Sequence, residues 1–343
     1  MVSIPNIVHQ THKSIEFVRS KPKLLKGARS WISTGCDYRF YSDECANNFM
    51  KGLEKDFPGI YTIYSKLPIP VMKADLFRYC VVYKNGGIYA DMDTTIKKGK
   101  IKKLLSFNGF VCSNDPHFIN NNTDRPEYLN TRWVCQWVFS CPPNSPVLNT
   151  IIRVILKKLS SVDIIKEASL NSKWFIHDLT GPTIFTEGIK EYLLQNGETK
   201  KSIKRAFVCT ESKEVFEKKA SKIFLRNNIL LHPDSFHEDV VTHICTGFDQ
   251  GGWREQMENY VVNIFYNPDK KIRLIKIIKD QRYPDNFNVQ IDCNKITVRR
   301  IDSNHGWGQN LMLVVKIKNK HYPEKQVKVL VGSSDKNTKV FCI

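Results

Sequence analysis

The sequence has no apolar run approaching the ~18–20 residues needed to cross a bilayer. Its most apolar stretches, such as YVVNIFY at 260–266 and LMLVV at 311–315, break within a few positions. Residues 1–15, MVSIPNIVHQTHKSI, lack the basic segment and apolar run of a secretory signal. The expectation is a soluble protein of the cytoplasm or another intracellular compartment, with no membrane span. The ten cysteines include no Cys-x-x-Cys pair, and Cys80 and Cys112 sit among apolar neighbours. Buried free thiols in a reducing compartment are therefore expected, not disulfides or a zinc site. Acidic residues are in deficit: 34 Asp and Glu against 52 Lys and Arg give a net charge of +18. Such a surface attracts phosphates, anionic sugars or nucleic acid. No recognised motif interleaves basic residues with exposed aromatics, so a nucleic-acid partner is not expected. Internal repeats and low-complexity linkers are also missing.

The chain has 343 residues, 41% of them hydrophobic and 25% charged, which is enough apolar material for a sizeable core. Strands alternate with helices over the first ~260 residues, the pattern of a layered α/β domain. IPNIVHQ reads as the first strand and DYRFY as another, with a helix around residues 17–33 between them. Pro70 opens a helix that runs through VMKADLFRYCVVYK to Asn85-Gly86-Gly87, a left-handed stop, and the strand IYADM follows. SPVLNTIIRVILKKL and GPTIFTEGIKEYLL read as further helices. After about residue 260 the texture turns strand-like: YVVNIFY, KIRLIKII, NFNVQID, KITVRRI, LMLVVKIK, QVKVLVG and TKVFCI. Residues 260–343 hold 16 Lys and Arg against 7 Asp and Glu, half of the whole excess. Two domains are expected, an α/β domain at 1–259 and a basic all-β module at 260–343.

The richest stretch for chemistry joins Lys73-Ala74-Asp75-Leu76-Phe77-Arg78-Tyr79 to Gly86-Gly87-Ile88-Tyr89-Ala90-Asp91-Met92-Asp93. Asp75 and Arg78, three apart on a helix, present a carboxylate beside a guanidinium fork that can grip vicinal hydroxyls. In a continuing strand Tyr89, Asp91 and Asp93 share one face, and two carboxylates converge at its carboxyl end. Hard oxygen ligands there suit Mg²⁺ or Mn²⁺ bridging a diphosphate. Burying so many polar groups in an apolar helix and strand is costly unless a ligand uses them.

At these residues the sequence resembles the DXD-containing sugar transferases of glycosyltransferase family 32 type. That group includes the yeast initiating mannosyltransferase and capsular-polysaccharide enzymes and is related to the catalytic domains of the clostridial glucosylating toxins. The resemblance covers roughly residues 4–255 and rests on IPNIVHQT, ADLFRY with GGIYADMDT, LTGPTIFT, and HICTGFDQGGW at 243–253, where Gly252 replaces the family's usual Ser. It implies a GT-A fold, a Rossmann-like mixed sheet flanked by helices. It also implies metal-dependent transfer of a hexose, with retention, from a nucleotide-sugar. Carried over, Asp91, Asp93 and His243 hold Mn²⁺ or Mg²⁺. Asp75 and Arg78 hold the donor hexose, and Asp75, Arg78, Asp91 and Asp93 form the catalytic set. His9, Gln10, Thr11, Tyr89 and Trp253 border the nucleotide-sugar.

The preferred donor is a UDP-hexose and the alternative is GDP-mannose; the acceptor is a glycan, a glycoprotein or a lipid-linked sugar. A non-catalytic carbohydrate- or nucleic-acid-binding protein on the same fold is the competing class. Trp133, Gln136 and Trp137 resemble the lead into an acceptor-side loop, with core packing equally open. His177 and Asp178 read as a helix cap ahead of a catalytic role. The lysine run Lys97, Lys98, Lys100, Lys102 and Lys103 reads as solvated surface. His232, His237 and His305 show no metal-ligand spacing.

Overall fold

The structure, a computed structural model, describes residues 2–67, 69–115, 132–162, 175–207, 224–233 and 236–244, with the backbone of strands between 261 and 342. Two compact units divide the chain, one from residues 1–161 with 174–246 and one from 162–173 with 247–343.

The first unit begins with β1 (Ile7–Thr11), α1 (Ile15–Arg19), α2 (Pro22–Ile32), β2 (Asp37–Tyr41) and α3 (Asp43–Lys51). The single helix expected at 17–33 is thus two. Ser14 caps the first by accepting the Phe17 N–H, and Pro22 opens the second because it cannot donate inside the first. Ser42 caps α3 by accepting the Cys45 N–H. Next come α4 (Ile60–Lys66), α5 (Pro70–Asn85), β3 (Gly87–Ala90), β4 (Thr94–Ile96), α6 (Lys102–Leu105), β5 (Phe110–Ser113) and β6 (Val138–Cys141). The described remainder is α7 (Pro146–Ser161), α8 (Phe175–Leu179), α9 (Pro182–Gln195), α10 (Lys200–Phe207), β7 (Phe224–Arg226), β8 (Ile229–His232), α11 (Phe236–Asp239) and β9 (Val241–His243).

Seven strands form one mixed sheet in the order β2-β1-β3-β6-β5-β8-β7. The pairs β2–β1, β1–β3 and β5–β8 are parallel, while β6 runs antiparallel to both β3 and β5. This is the Rossmann-like mixed sheet with flanking helices that the sequence implied. Val8, Trp31, Ile88, Ala90, Val111 and Val138 pack in one buried cluster against the sheet. An aromatic stack of Tyr79, Phe110, Phe139 and Phe185 joins the sheet to α5 and α9.

Two glycines set the connection that matters most. Gly86 ends α5 at φ 65° and Gly87 opens β3 at φ 94°, both in the left-handed region that favours glycine. A Cβ on Gly87 would stand 2.7 Å from the Ile7 carbonyl oxygen, so the short step from helix to strand tolerates no side chain. Strand β3 then ends at Ala90, earlier than IYADM suggested, and β4 pairs antiparallel with β9.

In the second unit, β10 (Val261–Asn267), β11 (Ile272–Lys279), β13 (Ile296–Asn304) and β14 (Gln309–Lys318) form an antiparallel sheet. A smaller antiparallel sheet is formed by β12 (Asn288–Ile291), β15 (Lys328–Gly332) and β16 (Lys339–Cys342). Each strand-like run of the sequence after residue 260 contributes one of these strands. Among the described residues, no helix is long and apolar enough to cross a membrane. The described cysteines, Cys36, Cys45, Cys80, Cys112, Cys135 and Cys141, are free thiols.

Candidate functional site

Helix α5 is apolar nearly all round and therefore buried on all sides, which carries Asp75 and Arg78 into the interior at 1% and 4% exposure. Their spacing puts them on one face, and Arg78 Nη2 lies 2.8 Å from Asp75 Oδ1. Thr180 donates its hydroxyl to Asp75 Oδ2 at 3.0 Å and Gln136 donates its amide to Oδ1 at 3.3 Å. Arg78 Nη1 reaches Asp91 at 3.4 Å and the Gln136 carbonyl at 3.3 Å, while its guanidinium lies 4.8 Å from the Tyr89 ring centre. Tyr79 hydrogen-bonds both Gln136 and the Thr180 carbonyl, closing the network from behind.

Burial raises the Asp75 carboxyl to about 7 from its ordinary 3.8, despite Arg78 and the two hydrogen bonds. Asp91 is raised by the same loss of water and pulled back by Arg78. Burial would lower Arg78, but Asp91, Tyr89 and Asp75 hold it well above the usual guanidinium range. Tyr89, 1% exposed and raised well above the ordinary phenol by burial, donates to Asp91 Oδ1 at 2.7 Å. One cation is thus shared between two carboxylates, one deeply buried and one facing outward.

Asp91 and Asp93 come together by a different route from the one expected. Strand alternation cannot link them, because β3 stops at Ala90 and a tight turn spans Asp91 to Thr94. The Asp91 carbonyl accepts from the Thr94 N–H at 3.1 Å, the Thr94 hydroxyl at 2.6 Å and the Gln10 amide at 2.9 Å. Trp31 Nε1 donates to the Thr94 hydroxyl at 3.0 Å, and the Asp91 N–H donates to the Trp137 carbonyl at 2.8 Å. Gly27 presses α2 onto this turn so closely that a Cβ there would collide with the Met92 carbonyl oxygen. Register then places His243 opposite Thr94, and the Ile244 N–H donates to the Asp93 carbonyl at 2.7 Å. His243 Nε2 lies 3.5 Å from Asp93 Oδ1.

One ligand atom each from Asp91, Asp93 and His243 falls within 4.8 Å of the others, the one such group among the described residues. Two carboxylate oxygens and an imidazole nitrogen fit a divalent cation of the Mn²⁺ or Mg²⁺ kind.

The first-strand residues stand differently. His9 is fully buried; its Nε2 donates to the Gly86 carbonyl at 2.9 Å and its Nδ1 meets the Tyr41 hydroxyl at 3.1 Å. Burial lowers it to about 4, so it is a neutral brace for the helix-to-strand step. Gln10 is likewise fully buried between Tyr38 and the Asp91 carbonyl, and Thr11 donates to the Tyr41 carbonyl at 2.9 Å. The residue of that segment that faces the carboxylates is His12. Its pKa is lowered chiefly by burial and raised in part by Asp43, Asp93 and Asp91, and its ring stacks on Phe17 at 4.9 Å and 15°. Nothing local marks His12, just past the end of β1, for a role.

Thr180 was legible only within LTGPTIFT, and Gln136, read as acceptor-side or core, donates to Asp75. His177 and Asp178 lie within α8, and the N-cap of α9 is Gly181 with no side-chain bond, so neither residue caps that helix. The five lysines at 97–103 are exposed. Trp253, Gly252 and His305 lie outside the described residues.

Residues 22–111 match the family described as the glycosyltransferase sugar-binding region containing the DXD motif. That match makes residues 22–111 similar to the DXD-containing region of sugar transferases. An initiation-specific alpha-1,6-mannosyltransferase of Candida albicans is 27% identical over 69% of this chain and 66% of its own length. An inositol phosphoceramide mannosyltransferase of Schizosaccharomyces pombe is 34% identical over 35% of this chain and 33% of its own. The chain therefore spans about a third to two thirds of the length of these curated relatives. Among solved structures, the PaToxG glycosyltransferase covers 60% of this chain and 74% of its own at 15% identity and a TM-score of 0.35, too loose a likeness to carry residue correspondences. The family match contains Asp75, Arg78, Asp91 and Asp93, the residues that the fold gathers at the carboxyl ends of β1 and β3.

Proposed function

We propose that the chain transfers a hexose from a nucleotide-sugar to a glycan or lipid-linked acceptor, with retention, at the Asp91, Asp93 and His243 cluster. The observation that carries this is the joining of that cluster to the buried Asp75–Arg78 pair through one guanidinium. In this reading the two charges form the floor of the hexose pocket. Arg78 donates to ring hydroxyls, Asp75 accepts from them, and Asp91, 24% exposed at its side chain, faces the anomeric centre. Carboxylates so placed stabilise positive charge as it develops on the sugar ring.

The cluster's donor set would hold Mn²⁺ or Mg²⁺, which supplies positive charge for the departing diphosphate. Tyr89 and Arg78 fix the direction of the Asp91 carboxylate, and the turn pinned by Thr94 fixes Asp93. The stacked His12 and Phe17 offer a flat face for the nucleotide base.

UDP-hexose, the donor first expected, draws no support from relatives that are named mannosyltransferases. GDP-mannose fits them better and is the donor proposed. The second unit, basic and all-β, is proposed to serve the acceptor or a partner and not donor cleavage. The test incubates the purified chain with Mn²⁺ and a panel of nucleotide-sugars and measures nucleotide release. Release from GDP-mannose above all others is expected. Release from UDP-sugars alone overturns the donor assignment, and release from none overturns the transferase reading.

A further inference from the structure

The ring of Trp137 packs against two imidazoles. The ring centre of His237 is 4.4 Å away and that of His243 is 4.9 Å away, its plane at 74° to the indole. The two histidines are held differently. His237, on α11, is 6% exposed and its Nε2 meets the Ser113 hydroxyl at 3.2 Å and the Asn114 carbonyl. His243 stands at the end of a three-residue strand paired, among the described residues, with the equally short β4, and its side chain is 26% exposed. Backbone pairing places its Cα beside the turn, while the indole limits where its ring can point. The same Trp137 holds the Asp91 N–H with its carbonyl at 2.8 Å. One residue therefore touches two of the three ligands, one through its backbone and one through its ring.

We infer that Trp137, backed by His237, is a positioning residue that holds the His243 imidazole in its metal-binding orientation. The inference rests on the proposed metal role of Asp91, Asp93 and His243. Groups that orient a metal-bound histidine without touching the metal typically change affinity about 10–100-fold when removed. A packed indole restricts rotation by contact alone, so the lower end applies, about 10-fold. The carbonyl that holds Asp91 is backbone and survives every Trp137 substitution, which leaves the ring's effect on His243 isolated.

Mn²⁺ affinity, measured by electron paramagnetic resonance on the full chain without donor, is the readout. Trp137→Ala is expected to weaken it about 10-fold and Trp137→Phe to restore most of it. His237→Leu, which withdraws the anchored ring packed on the indole, is expected to weaken it less. The decisive comparison is Trp137→Phe and Trp137→Ala made again in a His243→Ala background. There the difference between them should vanish, because the ring has no ligand left to orient. An undiminished difference in that background, or equal affinities of the two variants in the wild-type background, overturns the inference. Should Trp137→Ala fail to fold, His237→Leu with and without His243→Ala decides the matter by the same rule. Absence of Mn²⁺ binding in the unmutated chain is a separate result and would strike the metal reading itself.

Discussion

Arg78→Met keeps the stem of the side chain while removing the guanidinium that ties Asp75 to Asp91. The fork stands 2.8 Å from Asp75 and 3.4 Å from Asp91. Because Asp75 is 1% exposed, water cannot take the lost partner's place. Removing one member of a buried pair costs about 3–5 kcal/mol, and the bonds from Thr180 and Gln136 hold the loss toward the lower figure. The loss also depends on pH. Burial already raises Asp75 to about 7 with Arg78 beside it, and without the cation it moves further up. At about pH 8 the variant must bury an unpaired charge or bind a scarce proton, whereas at about pH 5 the carboxyl is neutral in both proteins and needs no cation. Urea unfolding of the two proteins across that range measures the difference. A loss below about 1 kcal/mol, the size of an exposed pair, or one that does not shrink toward acid pH, refutes the buried shared cation.

Other consequences follow from the same geometry. The folded value of Asp75, about 7, lies above the ordinary 3.8. Its neutral form thus stabilises the fold fully below that ordinary value, and the contribution, roughly 4 kcal/mol, is lost as pH rises through the folded value. Asp75→Asn should flatten this part of the stability profile in denaturant titrations; an unchanged profile argues that Asp75 is ionised throughout. Thr94→Val removes the hydroxyl that links Trp31 to the Asp91 carbonyl and leaves a buried indole N–H unpaired, at about 1–3 kcal/mol by thermal unfolding. A smaller effect would mean the turn is held by Gln10 and the backbone alone. Gly27→Val drives a side chain into the Met92 carbonyl and should cost about 1–3 kcal/mol along with Mn²⁺ affinity. Gly52→Ala, which meets nothing within 4 Å, should stay within about 0.5 kcal/mol.

The parts of the fold written in local chemistry were the parts legible in the sequence. Pro70 and the Gly86-Gly87 pair bracket α5 so firmly that helix, stop and following strand were all readable, and the basic run of strands after residue 260 was equally plain. Proline also misled by omission, since Pro22 divides a helix that hydrophobic spacing made continuous. In the site, Asp75 and Arg78 announced themselves as charges on an apolar helix. Asp91 and Asp93 were found for a geometric reason that does not operate, because alternation along a strand was assumed where a turn does the work. That turn is fixed by Trp31, Gln10 and Trp137, and no local pattern reports contacts so distant in the chain. The partners of His9 were hidden for a related reason: the Gly86 carbonyl and Tyr41, which hold its ring, lie far from it in the chain.

The most direct measurement compares Mn²⁺-dependent nucleotide release from GDP-mannose by the unmutated chain and by Asp93→Ala. Saturable release that a chelator abolishes, lost in Asp93→Ala while the melting temperature stays within a few degrees, is the expected result. Full release by Asp93→Ala, or release that persists in excess chelator, would contradict a cation held by Asp91, Asp93 and His243.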